Sequence, residues 1–396
     1  MTNWHIVTCE YPPQIGGVSD YTRLLARELQ KAGDEVHIWA PALQAGDDLN
    51  VHRSLGSFRS KDLRIAGEAL DRYPEPRTLL VQWVPHGYGR RGMNIGFTRW
   101  LASRVREGDR LYLMVHEPYL EPSQPRLKLR FVSWMQRRMI CNLLGSASRV
   151  FVSIPAWETY LRPYASEGLR FDWLPIPATI ETPAEPRAVI SVRNRFCNDA
   201  VILGHLGTYS AELRRILQPA LIKILREVPN ACALLMGNHS DTFARDLQIA
   251  EPDLASRICG AGHLPDADLA NHISACDLTF QPYPDGLSSR RTSLMNLISR
   301  GIPVVSNIGH LTEQLWSESQ AVALSTTADA TQLSALCVQL LHDGSARTRL
   351  SHAAIALYRS RFDWPHIMAT LRLLGAARIT AASAANHRPM DHAKLE

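Results

Sequence analysis

The chain has no apolar run long enough to cross a bilayer as a helix. Its opening residues, Met1-Thr-Asn-Trp-His-Ile-Val-Thr-Cys9, lack the basic region and apolar stretch of a secretory signal. No group of His, Cys, Asp or Glu has metal-ligand spacing, so no metal site is expected. Cysteine is sparse and scattered: Cys9, Cys141, Cys197, Cys232, Cys259, Cys276 and Cys337. They are odd in number, lie mostly within apolar runs and have no zinc or redox spacing, which fits a reducing cytoplasm. Neither charge sign dominates. With 43 Lys+Arg against 38 Asp+Glu the net charge is +5. That balance permits an anionic substrate or membrane surface and gives no support for a nucleic-acid partner. What remains is a globular composition, 45% hydrophobic and 20% charged. At 396 residues the chain is too long for one ordinary core, and two domains are expected.

The order of elements sets the class. Trp4–Cys9 reads as a strand, and the loop Glu10-Tyr-Pro-Pro-Gln-Ile-Gly-Gly-Val18 follows it. Ser19–Ala32 carries Tyr21, Leu24, Leu25 and Leu29 at helical spacing. Gly33 stops that helix and Glu35–Ala40 is the next strand, which makes a strand–helix–strand unit. Strands at Thr78–Val84, Arg110–Val115 and Val150–Ser153 alternate with helices at Gly96–Val105 and Lys128–Leu144. The polar, Pro-rich stretch Glu181–Arg187 reads as a linker. The pattern then restarts. Strands are expected at Ala200–His205, Ala231–Met236, Ile258–Cys259, Leu278–Gln281 and Pro303–Ser306. Helices are expected at Gln218–Arg226, Asp266–Ala275, Ser293–Arg300, Ala330–Asp343 and Ala346–Phe362. The fold class is therefore α/β, with two doubly wound Rossmann-like domains and a cleft between them. Ligands in such sheets sit beyond the carboxyl ends of the strands.

The richest segment is Gln281-Pro-Tyr-Pro-Asp-Gly-Leu-Ser-Ser-Arg-Arg-Thr-Ser-Leu-Met-Asn296, followed by Gly301-Ile-Pro-Val-Val305. A glycine-containing loop enters a helix with Arg290 and Arg291 at its start. Unpaired helix N–H groups near Thr292 and Ser293, with two guanidinium forks, suit a phosphate-bearing ligand. Against this, two arginines on a first helical turn also occur as plain solvated surface, and cations oppose the dipole at that end. Gly16-Gly17 allows close backbone approach after the first strand, as a ligand cradle or as an ordinary turn. His116 and Glu117 end a buried-looking strand. His86 ends another, and with Tyr88 and Arg90–Arg91 it could shape an acceptor pocket. The basic, apolar helix Lys128–Met139 reads either as a core helix with a solvated face or as one lying on an anionic membrane.

Five places together resemble the retaining glycosyltransferases of the GT-B fold, near glycosyltransferase family four. They are Pro12-Pro-Gln-Ile-Gly-Gly-Val-Ser-Asp-Tyr21, Val115-His-Glu-Pro118, Leu203-Gly-His-Leu-Gly-Thr-Tyr209, Ala275-Cys-Asp277 through Val305, and Phe362-Asp-Trp-Pro-His-Ile367. The resemblance implies an N-terminal acceptor-binding domain (1–180) and a C-terminal nucleotide-sugar-binding domain (181–362). A last helix (363–380) would cross back to the first domain, and a flexible tail (381–396) would follow. It implies His116, Glu117 and Asp285 at the reacting sugar. Gly16, Gly17, Gly207, Thr208, Asn238, His263, Leu264, Arg290, Arg291, Thr292, Ser293 and Asn296 would hold the donor, and Tyr21, His86 and Tyr88 the acceptor.

Two departures from the family pattern stand out. The family's two glutamates, eight positions apart, fall on Asn296 for the ribose and on either Ser288 or Asp285 for the sugar. Asp285 is favoured because Pro282-Tyr-Pro-Asp-Gly286 keeps the strand-end sense. The family's diphosphate arginine is His205 here, and Arg290 and Arg291 are the replacements. No cofactor is implied beyond a nucleoside diphosphate sugar as co-substrate. The expected acceptor is a carbohydrate or a lipid-linked one. The expected location is the cytoplasm, with peripheral contact at an anionic inner membrane face left open. A nucleotide-sugar epimerase, a cyclitol-coupling relative and a non-catalytic nucleotide-sugar-binding relative share the pattern and stay open as alternatives.

Overall fold

A computed structural model describes residues 2–14, 16–41, 50–121 and 127–372. The expected tail 381–396 and the end of the last helix lie outside the described residues. Two parallel sheets organise the chain. The first has seven strands: β1 (Asn3–Val7), β2 (Glu35–Trp39), β3 (Val51–His52), β4 (Thr78–Trp83), β5 (Arg110–Val115), β6 (Arg149–Val152) and β7 (Phe171–Trp173), in the order β3-β2-β1-β4-β5-β6-β7. The second has six: β8 (Val201–Leu206), β9 (Ala231–Met236), β10 (Ile258–Gly260), β11 (Leu278–Phe280), β12 (Val304–Asn307) and β13 (Ala323–Ser325), in the order β10-β9-β8-β11-β12-β13. Both are doubly wound α/β sheets. The direction of winding reverses between β1 and β4 in one and between β8 and β11 in the other. Such switch points open a crevice at the strand carboxyl ends.

The short strands β3, β7 and β13 escape sequence reasoning because two or three residues carry no usable alternation. The helix Ala211–Glu227 begins seven residues before its expected start. Pro219 lies inside it and hides the first half, since proline usually ends a helical pattern. The stretch expected as a linker gives way to a helix at Pro186, a residue tolerated at the first helical position.

Register brings loops together. Trp83 pairs with Val115, Val115 with Val152, and Val152 with Trp173, so β4, β5, β6 and β7 end level. Pro85–His86, His116–Glu117 and Ser153 therefore leave the first sheet at one edge. The last described helix, residues 364–372, buries Trp364, Ile367, Met368 and Leu371 among core residues of β1, β2 and the helix Gly17–Lys31. Burial of that size contributes roughly 6–12 kcal/mol gross, before ordering entropy. In the other direction, Leu311 of the C-terminal half joins the core cluster of the N-terminal half. Among the described residues no helix is long and apolar enough to cross a membrane.

Three histidines lie in or just beyond strands without charge: His5 in β1, His205 in β8 and His116 after β5. Burial pushes each from 6.5 down to about 3. In the folded state they hold protons less readily than in the unfolded chain, so stability is complete above pH 6.5 and falls as pH drops toward 3. Each contributes a loss of about 1 kcal/mol per pH unit in that window. Urea denaturation from pH 7 to 4 is expected to show this acid limb. His5→Gln or His205→Gln should flatten it by about one proton, and an unchanged slope in both would place the acid sensitivity elsewhere.

Candidate active site at the interlobe cleft

The arginine loop is built from tight backbone contacts. It leaves β11 and turns at Gly286, where φ is 89° and an added Cβ would lie 2.3 Å from the Gly309 nitrogen. The loops after β11 and β12 thus pack back to back, and only glycine fits on both sides. Asn307 locks the turn, with its Oδ1 accepting from Tyr283 N at 2.9 Å and its Nδ2 donating to Tyr283 O at 2.8 Å. Further along, Glu313 accepts from Ser289 N (2.9 Å), from the Ser289 hydroxyl and from Trp316 Nε1 (2.9 Å). Burial holds its carboxyl above the usual range, partly offset by the hydrogen bonds from Ser289. Ser289 Oγ also reaches Ser153 O of the other half at 3.3 Å.

This frame presents Arg290 and Arg291. Arg290 binds Glu117 across the cleft at 2.5 Å and also pairs with Asp285. Arg291 pairs with the other oxygen of Asp285. Burial opposes ionisation of Asp285, but Arg291 and Arg290 outweigh it and hold the carboxyl below its ordinary value. Each guanidinium also lies over a ring, Arg290 at 5.4 Å from the Trp157 centroid and Arg291 at 4.8 Å from that of Tyr283. Both Nε atoms are buried without a partner, so donor capacity is left over.

Three cavities meet at this ion pair. The first, about 500 Å³, is lined by Gly207, Thr208, Asn238, His263, Leu264, Arg290, Arg291, Thr292, Ser293 and Asn296, together with Glu117. The second, about 360 Å³, is lined by Gly16, Gly17, Tyr21, His86, His116, Glu117 and Arg290, with Glu10 and Thr292. The third, about 470 Å³, is lined by His86, Glu117, Asp285 and Arg290 and by the aromatic residues Tyr119, Trp157 and Tyr160. Glu117 and Arg290 line all three.

Several expected contacts take a different form. The helix after the arginines, Thr292–Ile298, has only seven residues, so the guanidinium groups and not a long helix dipole dominate the charge there. Asn296 lines the first cavity but does not offer its oxygen to a ribose. That oxygen accepts from Thr179 N (2.9 Å) and Ile180 N (3.0 Å), and its nitrogen donates to Thr179 Oγ1 (3.2 Å), which ties the connection between the halves. Ser288 is fully buried and lines none of the three cavities, whereas Asp285 faces the third. His205 is buried and neutral, unable to act as a phosphate cation.

The amides at the tip of the first helix are occupied as well. Glu10 accepts from Val18 N and Ser19 N, each at 3.0 Å, and a Cβ on Gly16 would collide with that carboxylate. Tyr88 is no acceptor contact: it is fully buried, stacked on Trp83 and Phe97, and its hydroxyl donates to Gln82 O at 2.7 Å. Tyr21 packs edge-on against His116 at 5.1 Å. His116 has its Nε2 2.9 Å from Gln82 Oε1, which places the proton on Nε2 and leaves Nδ1 as an acceptor. Its carbonyl oxygen accepts from Ser153 Oγ (3.0 Å) and Trp157 Nε1 (2.8 Å). Being neutral, it serves as a hydrogen-bonding group and not as a cation. No group of His, Cys, Asp or Glu among the described residues could hold a metal ion.

No family model matches the chain. It is 22% identical over 386 residues to the phosphatidyl-myo-inositol mannosyltransferase of Mycolicibacterium smegmatis, covering 92% of this chain and 91% of that one. Its structure is similar to that of sucrose-phosphate synthase from Thermosynechococcus elongatus, with TM-score 0.69, 17% identity, and coverage of 97% and 100%. It is also similar to Anabaena HepE solved with UDP-glucose, with TM-score 0.67, 16% identity, and coverage of 94% and 99%. The chain has the GT-B fold.

Within that GT-B frame, the residues that sequence reasoning missed are Glu10, Gln82, Trp157 and Glu313. Gln82, Trp157 and Glu313 act on site elements far from them in sequence, and Glu10 acts within its own loop through the turn of its side chain, which no motif records. Glu313 gives the clearest test, since it lines none of the three cavities yet holds the arginine loop. Glu313→Ala leaves two or three buried donors unpaired and should destabilise the fold by about 2–4 kcal/mol. It should also weaken nucleoside diphosphate binding, while Glu313→Gln retains part of both. Denaturation and calorimetric titration read these separately, and unchanged affinity in the alanine variant would show that the loop holds its place without the carboxylate.

Proposed function

We propose that this chain is a retaining glycosyltransferase that moves a sugar from a nucleoside diphosphate sugar to an acceptor hydroxyl. The observation that carries the reading is the meeting of three cavities at Arg290–Glu117. The first cavity, in the C-terminal half, would take the nucleoside diphosphate. The second, beside His116, would take the transferred sugar. The third would take the acceptor. An epimerase of this fold needs no acceptor, so the third cavity supports transfer over isomerisation.

Arg290 and Arg291 would neutralise the diphosphate as charge develops on it, a stabilisation stronger in the transition state than in the ground state. For this to happen the phosphate oxygens must replace Asp285, which now neutralises both arginines. The anomeric carbon becomes oxocarbenium-like. Glu117 is held by Arg290, and Asp285 lines the third cavity but not the second, where the transferred sugar would lie, so neither is placed as the nucleophile of a double displacement. Front-face attack assisted by the leaving phosphate fits better, and with two guanidinium groups in place it calls for no divalent metal. Neutral His116 would accept a hydrogen bond from a sugar hydroxyl through Nδ1. The helix Leu127–Leu144 leaves Leu127, Phe131 and Trp134 exposed beside Lys128 and Arg130, which supports peripheral contact with an anionic membrane and a lipid-linked acceptor as one option.

The test is a thermal-shift screen with UDP-, GDP-, ADP- and TDP-sugars, with UDP-glucose first by likeness to HepE. An assay of nucleoside diphosphate release in EDTA follows. One donor should raise the melting point and be turned over; no shift and no release with any donor would refute the reading. For the donor that binds, Arg290→Ala and Arg291→Ala should each weaken affinity by about 2 kcal/mol, roughly thirtyfold in Kd. Unchanged Kd in both variants would remove the arginines from the site.

A further inference from the structure

The third cavity has a chemistry of its own. Its inner end is formed by Glu117, Asp285 and Arg290, and it shares Glu117 and Arg290 with the donor cavity. One wall is aromatic, with Trp157 and Tyr160 edge to face at 5.4 Å and Tyr119 at 6.3 Å from Tyr160. Two of these rings have their polar ends engaged inside the protein: Trp157 Nε1 donates to His116 O at 2.8 Å and Tyr119 Oη donates to Tyr160 O at 3.3 Å. What Trp157 and Tyr119 can offer a ligand is therefore their carbon surface. Val132, from the helix Leu127–Leu144, lines the cavity as well.

The inner charges are arranged against an anionic ligand. With the donor bound, Arg290 would already face the diphosphate and Glu117, and among the described residues no second buried cation lines this cavity to receive a phosphate. Arg91, His86 and His310 line the cavity too, but all three are solvent-exposed, where charge is screened. Carboxylates next to an aromatic platform suit a different ligand. A pyranose ring presents hydroxyls to acceptor oxygens at its edge and a C–H face to a ring. At about 470 Å³ the space is within the range of small-molecule sites.

We propose that this cavity binds the acceptor and that the acceptor is a neutral glycoside. The reacting sugar lies at the Glu117–Arg290–Asp285 end, and its aglycone or next sugar runs along Tyr119 and Tyr160 toward Val132. The proposal rests on the glycosyltransferase reading and adds the acceptor class to it.

Nucleoside diphosphate release from the donor found by the screen would be measured alone, with a panel of p-nitrophenyl glycosides, and with hexose 6-phosphates. Neutral glycosides should raise release above the donor-only rate, and hexose 6-phosphates should not. Tyr160→Ala should raise the KM of the best glycoside about tenfold or more while leaving donor Kd and donor-only release unchanged. Val132→Trp, at a half-buried helix position, should do the same by filling the cavity. Stimulation only by the sugar phosphates, no stimulation by any glycoside, or an unchanged KM in both variants would overturn the assignment while the transferase reading stands. Absence of release from every nucleotide sugar in the unmodified protein would instead sink both.

Discussion

The ion pair between Arg290 and Glu117 is the contact on which the site depends. It joins a loop after β11 to the residue beyond β5, and it is where the three cavities meet. Surface ion pairs contribute little because solvent screens them and ordering long side chains is costly. This one differs in setting, because the Arg290 side chain is 13% exposed, lies over Trp157 and shares its charge with Asp285. Its position is imposed from outside the pair. Gly286 against Gly309, Asn307 on Tyr283 and Glu313 on Ser289 hold the loop, and level ends of β4, β5 and β6 hold the partner.

The places best suited to an anion are filled by the chain's own carboxylates. Asp285 sits on both arginines, and Glu10 sits on the amides at the tip of the helix Gly17–Lys31. Buried positive groups and unpaired amides need partners, so side-chain acceptors from nearby strand ends take that place. The neutral histidine at the centre follows from the same economy of charge. His116 is wedged between Tyr21 and Gln82, where an imidazolium would have no counter-ion within its own hydrogen bonds.

A second network ties the halves together. From Trp316 through Glu313 and Ser289 it reaches Ser153 O, and from Ser153 Oγ and Trp157 it reaches the carbonyl of His116. The connection 178–182 is held by Asn296, by Tyr358 at 3.1 Å from Ala178 N, and by Arg300 on Ile180 O and Thr182 O. Asn296 stands where the resemblance places a ribose ligand and has become part of this tether.

Alternation of apolar runs and helical periods sufficed by itself for the class. Two parallel α/β halves, the strands that bear the site and the loops that carry Arg290, Arg291, His116 and His86 were legible, because periodicity and Gly/Pro punctuation are local signals. Tertiary structure alone decided the rest. That Tyr88 lies in the core, that Asn296 serves the backbone of residues 179–180, that Asp285 and not Ser288 faces the cleft, and that Glu10 covers the glycine loop all follow from contacts between residues distant in sequence or from which way a side chain turns at a loop. No local pattern encodes such contacts. They are set when two sheets pack at their switch points and each buried polar atom must find a partner among whatever the other strands deliver there.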